Sequence, residues 1–236
     1  MKILEKVTGR TGFFPILLAA ICLSGTDVLM KSGSSILQTG QVLFFRFSLG
    51  IILIGILRFI RHEGFICTNI KILILRSISE VLGFFFLYKA ISSTSLSNAI
   101  VLFYTFPLFS VLFSVILYRV KPVSVEIFSV VIGFIGVIII LYTNSFLMEI
   151  GNIYSLLAGL FVGLSMVLLK ELRRENDSFI IYFYFCLTGL ILFFPFYIGT
   201  FRDISIHRIS YLIPIGVLFL FRSEERRVGK ECRSRW

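Results

Sequence analysis

Glu80 and Arg76 stand four positions apart inside the apolar run "KILILRSISEVLGFFFLYKA". Asp27 in "LSGTDVLMK" and Arg46 in "QVLFFRFSLG" are charges in equally greasy surroundings. An ionised side chain at the centre of a bilayer-spanning helix costs ~2.5–3.5 kcal/mol on the insertion scale, so each needs a partner or a water-filled cavity. Glu80 and Arg76 share one helix face, where an intrahelical pair can form. Asp27 lies near the end of its run, and Arg46 lies about one and a half turns into the next from the same side, so a short connector makes them a depth-matched pair. Two chemistries fit these positions. The pairs can neutralise one another and fix helix register, or Glu80 or Arg46 can face a cavity and bind the charged part of a substrate, or carry a coupling proton. Both readings turn the side chains inward, and only transport measurements separate them.

A second set of polar groups lies in "SLSNAIVLFYTFPLF". Asn98, Tyr104 and Thr105 supply hydrogen-bonding groups, and Pro107 removes a backbone donor, leaving a carbonyl one turn back to bind a ligand or bend the helix. Asn98 and Tyr104 are therefore candidates to line a cavity. Enzyme chemistry finds no support. The two histidines, His62 and His207, lack metal-site spacing, and the four cysteines form no CxxC pair. No Ser/His/Asp order, paired carboxylates on one span or phosphate loop is present, so no cofactor and no metal are expected.

The elements that must hold these residues follow from hydropathy. The 236 residues are 57% hydrophobic and 15% charged, with a mean hydropathy of +0.96. Apolar runs cover 13–30, 42–60, 72–91, 99–118, 123–142, 153–169 and 179–201, each near the ~20 residues a helix needs to cross ~30 Å of hydrocarbon. Being continuously apolar rather than alternating, they read as helices and not barrel strands. The formal charge of +10 does not imply nucleic acid, because the basic residues fall in short clusters between the runs. With the N-terminus inside, the cytoplasmic segments hold Lys2, Lys6, Arg10, Arg58, Arg61, Lys71, Arg119, Lys121, Lys170, Arg173 and Arg174, against Lys31, Lys89, Arg202 and Arg208 outside. The positive-inside rule favours that orientation. The first run lacks a small-residue cleavage site and reads as a retained helix rather than a signal peptide.

Sliding the sixth run onto the first by 139 positions aligns "GNIYSLLAGLFVGLSMVLLK" with "GFFPILLAAICLSGTDVLMK". Gly12, Leu17, Leu18, Ala19, Val28, Leu29 and Lys31 meet identical residues, and Ala20 and Ser24 meet Gly159 and Gly163, keeping a face of small residues for close helix approach. Five spans separate the copies, so the second enters the membrane from the opposite side. Inverted repeats of this kind mark secondary transporters, whose substrate site lies near the midplane between the halves.

"QVLFFRFSLG", "LYKAISSTSLSNAIVLFYTFPLFSVLFSVIL" and "VVIGFIGVIII", in that order and spacing, resemble the EamA-like branch of the drug/metabolite transporter superfamily. The resemblance covers Phe13 to about Phe221. It departs after the fourth run, where the family commonly shows a Glu before a basic residue and "YRVKP" has Val120. The resemblance implies an all-α, multi-pass membrane bundle of ten helices in two inverted five-helix repeats, of which about seven and a half are present. The first repeat would be residues 1–145 and the second 146–221. It further implies a bacterial inner-membrane transporter of a small organic solute working by alternating access, with the bilayer and the solute as partners and a homodimer as one assembly. A non-transporting scaffold or assembly factor of the same fold stays open.

The last fifteen residues, "RSEERRVGKECRSRW", interrupt an eighth apolar run after 13 residues, 209–221. They back-translate without a mismatch to the reverse complement of a common sequencing adapter, so residues 222–236 are expected to be foreign to the protein. The natural chain is then expected to continue past Phe221 for ~60–80 further residues, at ~20 per span plus loops.

Overall fold

The computed structural model describes residues 38–61, 67–119, 124–143 and 150–198, with Ser24, Gly25, Val28, Lys31 and Ser32. Asp27 and residues 222–236 lie outside the described residues. From Thr39 onward the described chain forms α1 (Thr39–Arg61), α2 (Ile70–Ser93), α3 (Leu96–Phe103), α4 (Phe106–Tyr118), α5 (Ser124–Thr143), α6 (Ile150–Glu175) and α7 (Ser178–Ile198). Four stretches are long and apolar enough to cross a membrane: Thr39–Ile56, Leu96–Tyr118, Ile150–Glu175 and Ser178–Pro195. α2 carries Lys71, Arg76, Glu80 and Lys89 along its 24 residues and occupies the centre of the bundle, against both α6 and α7.

Local chemistry sets the helix ends. Asn69 precedes α2 in the left-handed conformation, φ 59°, which asparagine tolerates better than most residues. At the far end of α2 the Lys31 ammonium donates to the carbonyls of Ile91 (2.8 Å) and Thr94 (2.7 Å), satisfying acceptors that a helix C-terminus leaves open. α3 starts on the Ser95 hydroxyl, which accepts from the Asn98 amide. The fourth apolar run, in which Pro107 signalled a bend, is broken outright at Tyr104–Thr105. Pro107 occupies the first turn of α4, where its missing N–H costs least. The Thr105 hydroxyl turns back to the Leu102 carbonyl at 2.7 Å, stabilising the break.

The neighbour across that break is α6. A Cβ at Gly159 would lie 2.8 Å from the Thr105 hydroxyl and 3.2 Å from the Phe103 carbonyl, and one at Gly163 would meet the Phe106 carbonyl at 2.9 Å. Glycine here lets irregular backbone press against a helix, so the small-residue face read from the sequence is a packing face. α1 packs against α7 and α2 against α6, each pair antiparallel, while α4 runs beside α6 and α5 lies outside α4. One end of the bundle therefore collects Arg58, Thr68, Tyr118 and Asn176, and the other collects Thr94, Gly151 and Phe193. Large apolar side chains such as Phe59, Ile116, Phe128 and Ile135 cover the outside, as a lipid solvent requires.

Candidate functional site

α1, α2 and α7 meet around a charged cluster. Arg46 on α1 and Arg76 and Glu80 on α2 are 3%, 1% and 2% exposed, among the most deeply buried side chains of the described residues. Arg76 pairs with Glu80 along the face of α2. Arg46 donates to the Tyr88 hydroxyl and lays its guanidinium over Phe84, 4.0 Å from the ring centre, with Tyr88 at 5.7 Å and Phe47 at 5.8 Å. Cation–π contacts of this kind are worth up to ~2 kcal/mol when water is excluded. Rings link the two guanidinium groups: Phe84 lies 6.0 Å from Phe185, Phe185 lies 5.2 Å from Phe47, and Arg76 stands 5.5 Å from the Phe185 ring. Cys186, wholly buried on α7, is within electrostatic range of Arg46, Arg76 and Glu80. The cluster holds fixed charge in a medium of low dielectric, where interactions with a solute's charge are strong and water competes little.

The structure thus brings Arg46 and Glu80 into one neighbourhood and forms the Arg76–Glu80 pair expected from spacing. It places Asn98 and Tyr104 elsewhere. Asn98 is half-buried in the first turn of α3, and Tyr104 sits at the break, 58% exposed, with its ring against Phe103 and Phe106. Sequence reasoning missed Phe84 and Tyr88, although their spacing of four and eight residues beyond Glu80 keeps them on its helix face. It also treated Arg58 as a loop charge. Arg58 is only 5% exposed and bonds the Asp177 carboxylate at 3.4 Å, a partner 119 residues away that no local pattern announces.

Beside Arg58, the α1–α2 connector is fastened to the α6–α7 corner through Asn176. Its amide oxygen accepts from the Thr68 backbone N–H (2.9 Å), the Thr68 hydroxyl (3.1 Å) and the Cys67 thiol (3.0 Å). Its amide nitrogen donates to the carbonyls of Thr68 (3.3 Å) and Leu172 (3.2 Å). Next to it the Asn69 amide donates to the Glu175 carboxylate at 2.8 Å. Partial burial pushes the Cys67 thiol above its ordinary value. At the same end a cavity of about 430 Å³ opens between α4 and α6, with Ser110, Ser114, Tyr118, Lys170, Glu171 and Arg174 among its walls. Lys71, Arg119, Arg173 and Arg174 lie at this end as well, and Lys89 at the other.

Comparison with known proteins accounts for this architecture. The profile of the EamA-like transporter family matches residues 10–142. The pseudopaline exporters CntI of Pseudomonas aeruginosa strains UCBPP-PA14 and PAO1 are each 23% identical to this chain over 215 residues, covering 89% of it and 75% of the exporter. The family comprises membrane transporters and is typically non-enzymatic. With its spanning helices, its lipid-suited surface and a family match over more than half its length, this multi-pass membrane protein belongs to the EamA-like transporter family.

Proposed function

We propose that this chain moves a small organic solute across the bacterial inner membrane by alternating access, with its N-terminus in the cytoplasm and residues 1–145 and 146–221 as inverted halves. The observation that carries the reading is the way α1 meets α7. Phe47 on α1 covers Gly189 on α7, so that a Cβ there would lie 2.5 Å from the ring, while Cys186 on α7 covers Gly50 on α1, with its sulfur 2.6 Å from a Cβ built at that glycine. The 139-residue offset of the repeat carries Phe47 to Cys186 and Gly50 to Gly189. Each helix therefore offers the same two positions to the other in crossed order, the contact pattern of a two-fold axis. Such an axis between antiparallel helices relates halves of opposite orientation, the geometry that alternating access uses.

In this reading Arg46 and Glu80 in the cluster at the α1–α2–α7 junction, together with Asp27, which lies outside the described residues, supply the charge that recognises solute or carries a coupling proton. Asn98, in the first turn of α3, and Tyr104, exposed at the α3–α4 break, are the polar groups proposed to line the path. The basic residues gathered at the Asn176 end face the cytoplasm. The exporter role of the Pseudomonas relatives makes outward movement of a metabolite the direction to test first. The test is solute flux in proteoliposomes carrying the purified chain, beginning with pseudopaline and extending to amino acids, nucleotides and cofactors. Saturable flux of one class is the expected result. No flux across the whole panel would overturn the transport reading in favour of a membrane scaffold with this fold.

A further inference from the structure

We propose that Asn176 is the latch of a gate, a side chain that holds the two halves together at the cytoplasmic end and must let go once per transport cycle; this rests on the reading of two halves that move against each other. Three features support it. Four side-chain links at this end, Asn176 with Thr68 and with Cys67, Asn69 with Glu175 and Arg58 with Asp177, cross from a residue before position 70 to one after position 174. Asn176 is 5% exposed, yet Thr68, Asn69, Glu175 and Asp177 are exposed, so water stands ready to replace what the links give up on opening. The contrast at mid-depth is sharp, because Gly50, Gly83 and Gly189 are covered by Cys186, Val162 and Phe47 within 2.6 Å of a built Cβ, and such packing has no substitute partner if it parts. When the halves rock, the packed centre is the place to pivot and the hydrated polar end is the place to part.

The geometry of the latch fits reversible closure. One carboxamide takes both the N–H and the carbonyl of Thr68, as a neighbouring strand would, and in the same position bonds the Leu172 carbonyl of the preceding helix, α6. A single side-chain rotation releases the connector while its backbone stays intact. The Cys67 thiol, bonded to the same carboxamide oxygen, reports the state of the latch. A bonded and partly buried thiol reacts slowly because little of it is thiolate.

The latch is tested first without solute. In a chain whose other cysteines are replaced by alanine, Cys67 is labelled with a membrane-impermeant maleimide, and Asn176→Ala is compared with the parent while size-exclusion elution checks folding. The expected result is labelling about tenfold faster in Asn176→Ala, with Asn176→Asp, which keeps the acceptor and loses both donors, in between. Equal rates in all three would overturn the latch. The gate is tested with Thr68→Cys and Asn176→Cys together on Cys67→Ser, following radiolabelled amino acids and pseudopaline in proteoliposomes. Oxidation should abolish flux and a reductant restore it. Undiminished flux with the disulfide closed overturns the gate, and absence of flux in the reduced chain counts against transport itself while the labelling result still decides the latch.

Discussion

The α1–α7 contact and the Asn176 clamp both join the first part of the chain to the last, and they are made of opposite materials. At mid-depth, Phe47 and Cys186 close over Gly189 and Gly50, with Phe185 edge-on to Phe47 and Phe193 stacked beside it. At the end, an amide, two hydroxyl-bearing or thiol side chains and an ion pair do the joining. Lipid offers apolar packing no hydrophobic advantage, so the first contact relies on close approach of backbones, which glycine permits. Water can take over the hydrogen bonds of the second. The difference assigns a fixed role to one contact and a making-and-breaking role to the other.

Crosslinking separates the two most strongly. A cysteine at position 50 would have its Cβ 3.6 Å from that of Cys186, inside the range of a disulfide. Gly50→Cys is expected to crosslink to the native Cys186 under oxidant and to leave most of the flux, because the bond sits at the pivot, whereas the bond across Thr68 and Asn176 stops it. Loss of flux from both would erase the distinction. The next largest effect belongs to the charged cluster. Glu80→Leu leaves Arg76 without its carboxylate and is expected to cost ~3–5 kcal/mol in unfolding measured in mixed micelles, while Arg76→Met with Glu80→Leu recovers most of it. An equal cost for single and double variants would mean that packing, not charge, holds α2 in place.

Gly189→Ala places a methyl group against the Phe47 ring and is expected to cost ~1–3 kcal/mol by the same measurement, with Phe47→Leu restoring part of it. Asp177→Asn has the smallest effect expected. The carboxylate is half exposed, so the variant should cost less than ~1 kcal/mol and differ less from the parent as salt is raised. A salt-independent loss of several kcal/mol would make the end as rigid as the centre.

Much of this arrangement is legible in the sequence where a local rule applies. Apolar length gave the helices their positions, an interval of four gave the Arg76–Glu80 pair, and Pro107 signalled a bend in the fourth run. The full break at Tyr104–Thr105 was not legible, because it depends on glycines of α6 more than fifty residues away accepting irregular backbone. Arg58 counts among the cytoplasmic charges, and no local pattern singles out Asn176. Their partners, Asp177 and Thr68, are 119 and 108 residues distant, and only the antiparallel pairing of α1 with α7 and of α2 with α6 brings them within reach. Tyr104 stands at the break on the surface of the described bundle, with its ring beside those of Phe103 and Phe106.

The buried cluster of Arg46, Arg76 and Glu80, proposed to lie between two inverted halves, is assigned to transport and not to stability alone. The most direct test is flux through proteoliposomes carrying the native chain, Glu80→Gln or Arg46→Gln, with insertion and elution matched among them. The account predicts flux through the native chain and at least a roughly tenfold loss in each variant, a loss of ~1.4 kcal/mol or more in the rate-determining step. Native-level flux in both variants would contradict it and leave the cluster as a structural fastening of α1, α2 and α7.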